Sequence, residues 1–308
     1  MQTQLEAVFF DLDGTILDTA HDLADACNQL LQEHNRPAAP FDEFRQWIHG
    51  GAAMMISQSF QIDHNHPDFS ALKSAFLQNY QQRLTDKTQL FPGIDTVLHH
   101  LEQQHIPWGV VTNKYAQFTQ PLMTHFGLTH RCCCIISGDS LPTTKPHPAP
   151  LLRACELADA KPARCIYVGD TLSDVQAAKA AGMQSIAVRY GYHPKNSKIE
   201  EWQADAVAST PDDLLLLFQE WEKGLDRRSG HRFESPGLLR FARNDSDLPH
   251  DSDLPSLRAK RSNPGDFSGF TEGCTGNQWP ERQSRPGKRI AQSTDYNDIQ
   301  KGETEHRL

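Results

Sequence analysis

Residues 8–19 read VFFDLDGTILDT, an apolar run that stops at Asp11 and is followed closely by Asp13 and Asp18. Carboxylates crowded at the end of such a run repel one another and lose hydration, so the cluster needs a compensating partner. In open parallel sheets, ligands bind outside the carboxyl ends of the strands. The stretch therefore reads as a first strand delivering acidic groups to a site.

Working outward, further short apolar runs occur at WGVV (108–111), CIIS (134–137), CIYVG (165–169), SIAV (185–188) and DAVA (205–208). They alternate with stretches of helical period at 115–126, 148–158, 172–181 and 211–222. Strand then helix, repeated, predicts an α/β fold: a Rossmann-like parallel sheet covered on both faces. Between Thr19 and Thr88 helical patterns such as 22–34 and 69–84 run without a strand, and LFPG (90–93) punctuates the return to the sheet. The expected organisation is a core over 1–18 and 89–223, a helical insert over 19–88 and a tail over 224–308.

Composition separates the tail from the rest. Met1–Lys223 carries 16 Lys plus Arg against 26 Asp plus Glu, an acidic balance that argues against nucleic-acid binding. Residues 224–308 contain 13 Leu, Ile, Val or Phe and no Val, too few to sustain a core, and are expected to be disordered. SDLP repeats at 246–249 and 252–255, and SLRAKRSNP and RPGKRI are locally basic. A tail-mediated nucleic-acid-binding protein is the non-enzymatic alternative, disfavoured by the interleaved acids. The seven cysteines lack zinc spacing and read as reduced, buried thiols. No signal peptide and no apolar stretch approaching about 18 residues is evident, which predicts a cytoplasmic protein with no membrane partner.

The residues that close the runs carry the chemistry. The first run ends in Asp11 and Asp13, the second in Thr112 and Asn113, and the 165–169 run in GDTLSD with Asp170 and Asp174; TTKPHP sets Lys145 in a Pro-bounded loop. Carboxylates converging on one sheet edge fit a hard cation with oxygen ligands, most economically Mg²⁺. A hydroxyl and a lysine beside them complete a pocket for a phosphoryl group, whose transfer needs positioning and charge neutralisation.

DLDGT, then TN, then K, then GDxxxD, in that order, resembles the haloacid dehalogenase superfamily of phosphotransferases. The resemblance covers Leu5 to Trp221, with the insert matching the cap domain of the phosphoglycolate phosphatase-type subgroup. It implies that Asp11 is the nucleophile forming an aspartyl-phosphate and that Asp13 is the general acid and base. It further implies that Asp11, Asp170 and the Asp13 carbonyl bind Mg²⁺, with Asp174 holding metal-bound water or orienting Lys145. Thr112 and the Asn113 amide would bind phosphoryl oxygens, Lys145 would neutralise charge, Gly14 would allow close backbone approach and Thr15 would fix the loop. Plainer readings stand beside these: Thr15 and Asp18 as helix caps, Asp174 and Lys145 as solvated residues, Thr112 as a structural hydroxyl.

For specificity, WIHGGAAMMI (47–56) offers His49, Gly50 and Gly51 as a ligand-approaching loop, and VRYGYHP (188–194) offers Arg189 as a partner for a substrate carboxylate. Together with WGVVTNK, these segments look closer to the bacterial N-acetylmuramic acid 6-phosphate phosphatases of cell-wall recycling than to phosphoglycolate phosphatases. A small phosphorylated metabolite is the expected substrate. A phosphomutase of the β-phosphoglucomutase type shares every core motif and is the enzymatic rival.

Overall fold

A computed structural model describes residues 5–222. The expected disordered tail, with its SDLP repeat and basic stretches, lies outside the described residues.

Strand β1 is Ala7–Phe10, and its neighbours in the sheet are β4 (Trp108–Val111) and β6 (Cys165–Gly169). Beyond β4 lies β5 (Ile135–Ile136); beyond β6 lie β7 (Gln184–Val188) and β8 (Ala206–Ala208). Every pairing in this sheet is parallel. The chain builds one side of β1 and then crosses to the other, so the strand order reverses at β1, and a crevice opens at its carboxyl end.

Both faces of the sheet are covered, which is why its strands are continuous apolar runs. Val8 and Phe10 of β1 face one buried cluster while Ala7 and Phe9 face another, the two-residue alternation of a strand. Phe10 meets Trp108 and Phe218 edge-on, each with ring centroids 6.4 Å apart. The first face is closed by α5 (Ile94–Gln103), α6 (Ala116–His125) and α9 (Pro211–Glu222), the second by α7 (Ala149–Leu157) and α8 (Leu172–Ala180).

The insert after the first strand consists of α1 (Ala20–Glu33), α2 (Phe41–Trp47), α3 (Gly51–Phe60) and α4 (Phe69–Gln81). Leu23, Cys27, Leu30 and Leu31 of α1 follow a helical stripe and share a buried cluster with Leu72, Phe76 and Tyr80 of α4. That cluster continues into the sheet face through Phe118 and Trp108.

Two crossings join the insert to the sheet, and short strands β2 (Leu17–Asp18) and β3 (Gln89–Leu90) pair antiparallel there. Asp22, fully buried on α1, accepts from the Lys87 amide (2.9 Å), the Thr88 amide (2.8 Å) and the Thr88 hydroxyl (2.7 Å). No described helix is long and apolar enough to cross a membrane. The six described cysteines are free thiols; Cys27, Cys134, Cys155 and Cys165 are buried, whereas Cys132 is half-buried and Cys133 exposed, against the expectation that all are buried.

Candidate active site

The backbone of Asp11 extends β1 by one rung, its amide donating to the Val168 carbonyl at 2.9 Å. Its Oδ1 accepts from the Leu12 amide at 2.8 Å and lies 3.0 Å from Lys145 Nζ. Burial pushes the Asp11 carboxyl up to about 6, with Lys145 pulling against that shift and Asp174 adding to it.

Lys145 is itself buried. Its Nζ donates to Asp174 Oδ1 and to the Tyr167 hydroxyl, each at 2.7 Å. Burial alone would lower its pKa, but the charges of Asp11 and Asp174 outweigh that and hold the ammonium above its usual value. The Asn113 side chain clasps the lysine's backbone: Nδ2 donates to the Lys145 carbonyl and Oδ1 accepts from its amide, both at 3.0 Å. Thr112, buried at the end of β4, takes the Lys114 amide on its hydroxyl at 3.2 Å.

Asp170 directly follows β6, and Asp174 lies in the first turn of α8. Asp174 Oδ2 accepts the Thr171 amide (2.9 Å) and hydroxyl (2.7 Å), closing a capping box, so it both starts the helix and orients Lys145. Asp170 Oδ2 accepts from the Tyr192 amide at 2.6 Å, whereas Oδ1 is buried without a hydrogen-bond partner. Burial, then the charges of Asp11 and Asp174, hold the Asp170 carboxyl well above the usual carboxylate range.

Asp11, Asp170 and Asp174 each offer an oxygen within 4.8 Å of the others. A partnerless buried carboxylate oxygen among three acids is costly, and an all-oxygen set of this kind fits a hard divalent cation. The backbone makes room for it closely. A Cβ on Gly14, whose φ is +79°, would stand 2.2 Å from Asp170 Oδ2, and one on Gly191 would stand 2.2 Å from Asp170 Cβ.

Asp13 takes a different environment. Lys114 Nζ lies 3.0 Å from both of its oxygens, and the Thr19 hydroxyl donates to Oδ1 at 2.7 Å. Lys114 also donates to the Tyr80 hydroxyl at 2.8 Å, with the ammonium 4.6 Å from the ring centroid. Burial would lower Lys114, but Asp13 and Tyr80 outweigh it and raise its pKa, while burial pushes the Tyr80 phenol up to about 12.

These groups open into a cavity of about 470 Å³ whose far wall is the helical insert, including His49, Gly50 and Gly51. The sequence-derived residues Asp11, Asp13, Thr112, Asn113, Lys145 and Asp170 all line it. Gly14 packs on Asp170. Thr15 is buried with its hydroxyl unpartnered, and its carbonyl, accepting from Tyr190 at 3.1 Å, makes the loop contact instead. Thr19, not Thr15, precedes α1; Asp18 accepts the Tyr192 hydroxyl at 2.6 Å.

Arg189 departs from expectation. It pairs with Glu200 on the surface and does not line the cavity. The same segment turns Tyr192 inward, and Arg45 of α2 donates to the Tyr190 carbonyl at 2.8 Å with its guanidinium 5.0 Å from the Tyr192 ring centroid. Nothing local in the sequence marks Lys114, Tyr80 or Tyr192 as site residues. The lysine of TNK stands just past a strand end with no pattern of its own, and Tyr80 has the spacing of an ordinary core residue on α4.

A family model described as haloacid dehalogenase-like hydrolase matches residues 8–188. The N-acetylmuramic acid 6-phosphate phosphatase of Pseudomonas putida is 39% identical over 212 residues, 68% of this chain and 95% of that protein. The phosphoglycolate phosphatase of Xanthomonas campestris pv. campestris is 38% identical over 211 residues, 68% of this chain and 94% of that protein. The crystal structure of a predicted phosphoglycolate phosphatase from Haemophilus somnus superposes with a TM-score of 0.64 at 30% identity, over 70% of this chain and 99% of that chain.

Proposed function

The chain belongs to the haloacid dehalogenase-like hydrolase family and is a phosphatase, and from that premise we propose a Mg²⁺-dependent reaction through an aspartyl-phosphate on N-acetylmuramic acid 6-phosphate. The observation that carries the chemistry is Lys145 bridging Asp11 and Asp174 beside the partnerless oxygen of Asp170.

Asp11 attacks phosphorus, forming a new O–P bond as the ester P–O bond breaks, and Asp13 gives its proton to the departing oxygen. Asp13 then takes a proton from water, whose oxygen attacks the phosphorus of the aspartyl-phosphate and returns Asp11 as a carboxylate with release of inorganic phosphate. Thr112 and the Asn113 amide hold phosphoryl oxygens, and Lys145, oriented by Asp174, neutralises charge gathering on Asp11 and the phosphoryl group. Asp11, Asp170 and the Asp13 carbonyl would hold Mg²⁺, which would supply further charge neutralisation. The insert over residues 19–88 serves as a cap that closes on the substrate and excludes bulk water. Free thiols, including the buried pair Cys155 and Cys165 with sulfurs 3.6 Å apart, support action in a reducing cytoplasm.

The size of the cavity and the small residues Gly50, Gly51, Ala52 and Ala53 in its wall support an amino-sugar phosphate as substrate. Phosphoglycolate is the second reading, favoured by the relatives that bear its name. Comparing kcat/KM for the two on one preparation decides between them, since that ratio measures transition-state discrimination. A preference of about tenfold or more for phosphoglycolate reverses the substrate assignment and leaves the chemistry untouched.

A further inference from the structure

Lys73, Phe76, Leu77 and Tyr80 of α4 all line the cavity. Their spacing of three, four and seven residues from Lys73 is one helical stripe. Tyr80 marks the reacting end, because its hydroxyl receives Lys114, the lysine that holds Asp13. Lys73 stands seven residues before Tyr80, about 10 Å along the helix axis, and helical side chains lean further toward the N-terminus.

The cavity has three lysines, and their commitments differ. Lys145 is engaged by Asp11 and Asp174, and Lys114 by Asp13 and Tyr80. Lys73 is half-buried in the wall and makes no ion pair or hydrogen bond among the described residues. An ammonium held beside Phe76 and Leu77 without a counter-ion gains most from an anion brought into the cavity.

We propose that Lys73 is a specificity residue that receives the substrate's carboxylate at the end of the cavity remote from the phosphoryl group. This rests on the acidic sugar phosphate reading above and deepens it. Distance is what makes Lys73 selective. A two-carbon acid holds its carboxylate next to its phosphate, within reach of the reacting end only. A carboxylate carried on the opposite side of a sugar ring from the phosphate extends toward Lys73. Arg189, paired outside the cavity, leaves that role to the cap.

The test compares N-acetylmuramic acid 6-phosphate with N-acetylglucosamine 6-phosphate, which lacks the carboxylate, in wild type, Lys73→Met and Lys73→Arg. Wild type is expected to prefer the acid by about tenfold or more in kcat/KM, and Lys73→Met to bring that preference within about threefold of unity, through KM more than kcat. Lys73→Arg, which keeps the charge, retains most of the preference. A preference that survives Lys73→Met overturns the Lys73 assignment and leaves the substrate reading standing. A wild type with no preference overturns both. Melting temperature is recorded for each variant, and if Lys73→Met is poorly folded, Lys73→Gln is put to the same ratio, with the same outcomes deciding.

Discussion

Lys114 holds Asp13 by both carboxylate oxygens, Nζ standing 3.0 Å from each, and in the same geometry donates to the hydroxyl of Tyr80 on the cap. The proposed acid and base is thus positioned from the sheet by Lys114 and from the insert by Tyr80. Lys114→Met leaves Asp13 with the Thr19 hydroxyl alone and removes the ammonium that contacts both of its oxygens. Its kcat is expected to fall by about 10²–10³, with partial recovery in Lys114→Arg. Tyr80→Phe removes one hydrogen bond, worth about 1 kcal/mol, and is expected to cost roughly threefold to tenfold. Steady-state kinetics on both variants checks the order, and a Tyr80→Phe variant as damaged as Lys114→Met would contradict it.

Asp11→Asn keeps the shape of the proposed nucleophile and removes its reactivity. Turnover is expected to fall by about 10⁴ or more while the circular dichroism spectrum is unchanged. Retention of a tenth of the activity would exclude Asp11 as nucleophile. Asp13→Asn retains the nucleophile but slows hydrolysis of the intermediate, so mass spectrometry of that variant mixed with substrate should detect phosphorylated protein.

Metal and pH are linked through the same carboxylates. Asp11 is raised from 3.8 to about 6, chiefly by burial, so between these values the folded protein binds more protons than the unfolded chain. Stability of the metal-free protein therefore falls as pH rises through that window. A divalent cation favours the ionised form and offsets the loss. The gain in melting temperature on adding Mg²⁺ is expected to be larger at about pH 8 than at about pH 5. An equal or smaller gain at the higher pH would contradict the site. Chelation should abolish activity and Mg²⁺ restore it, with Ca²⁺ a poor substitute because its coordination is looser.

Gly191 and Tyr192 are adjacent, yet their substitutions should separate. Tyr192→Phe removes a hydroxyl that donates to Asp18 and receives the Thr19 and Ala20 amides, at 2.6 and 3.1 Å. It is expected to cost about 1–3 kcal/mol of stability, but the backbone amide that holds Asp170 remains and metal affinity changes little. Gly191→Ala drives a methyl against Asp170 and is expected to weaken Mg²⁺ binding by about tenfold or more, the scale seen when groups that orient metal ligands are disturbed. Calorimetric titration with Mg²⁺ distinguishes the two.

The sheet was legible because its central strands β1, β4 and β6 are buried on both sides and so become short, continuous apolar runs, as in AVFF and CIYVG. Asp11 and Asp170 were legible because they close those runs. Strands β2 and β3, two residues each, carry no periodicity to read. Lys114 and Tyr80 meet across 34 positions of sequence, through packing of the insert that no local pattern expresses. In VRYGYHP the charged residue reads as a ligand, whereas the turn after β7 sends Arg189 outward to Glu200 and buries Tyr192. Where a side chain points just past the end of a strand is set by the loop, and composition does not reveal it.

Asp22 ties the outgoing and returning crossings together at one carboxylate, so both strands of the connection are fastened at one seam. The groups proposed to break and make bonds belong mainly to strand ends and their loops, while Lys73 and residues 49–51 belong to the insert. The seam lets the insert vary as a unit: it can lengthen or repack, and the strand-end carboxylates keep their geometry so long as the Thr88 amide still finds Asp22 and the Tyr80 hydroxyl still meets Lys114. A new substrate can then be acquired by changing what hangs from the seam, provided that the insert still offers Lys114 a hydroxyl.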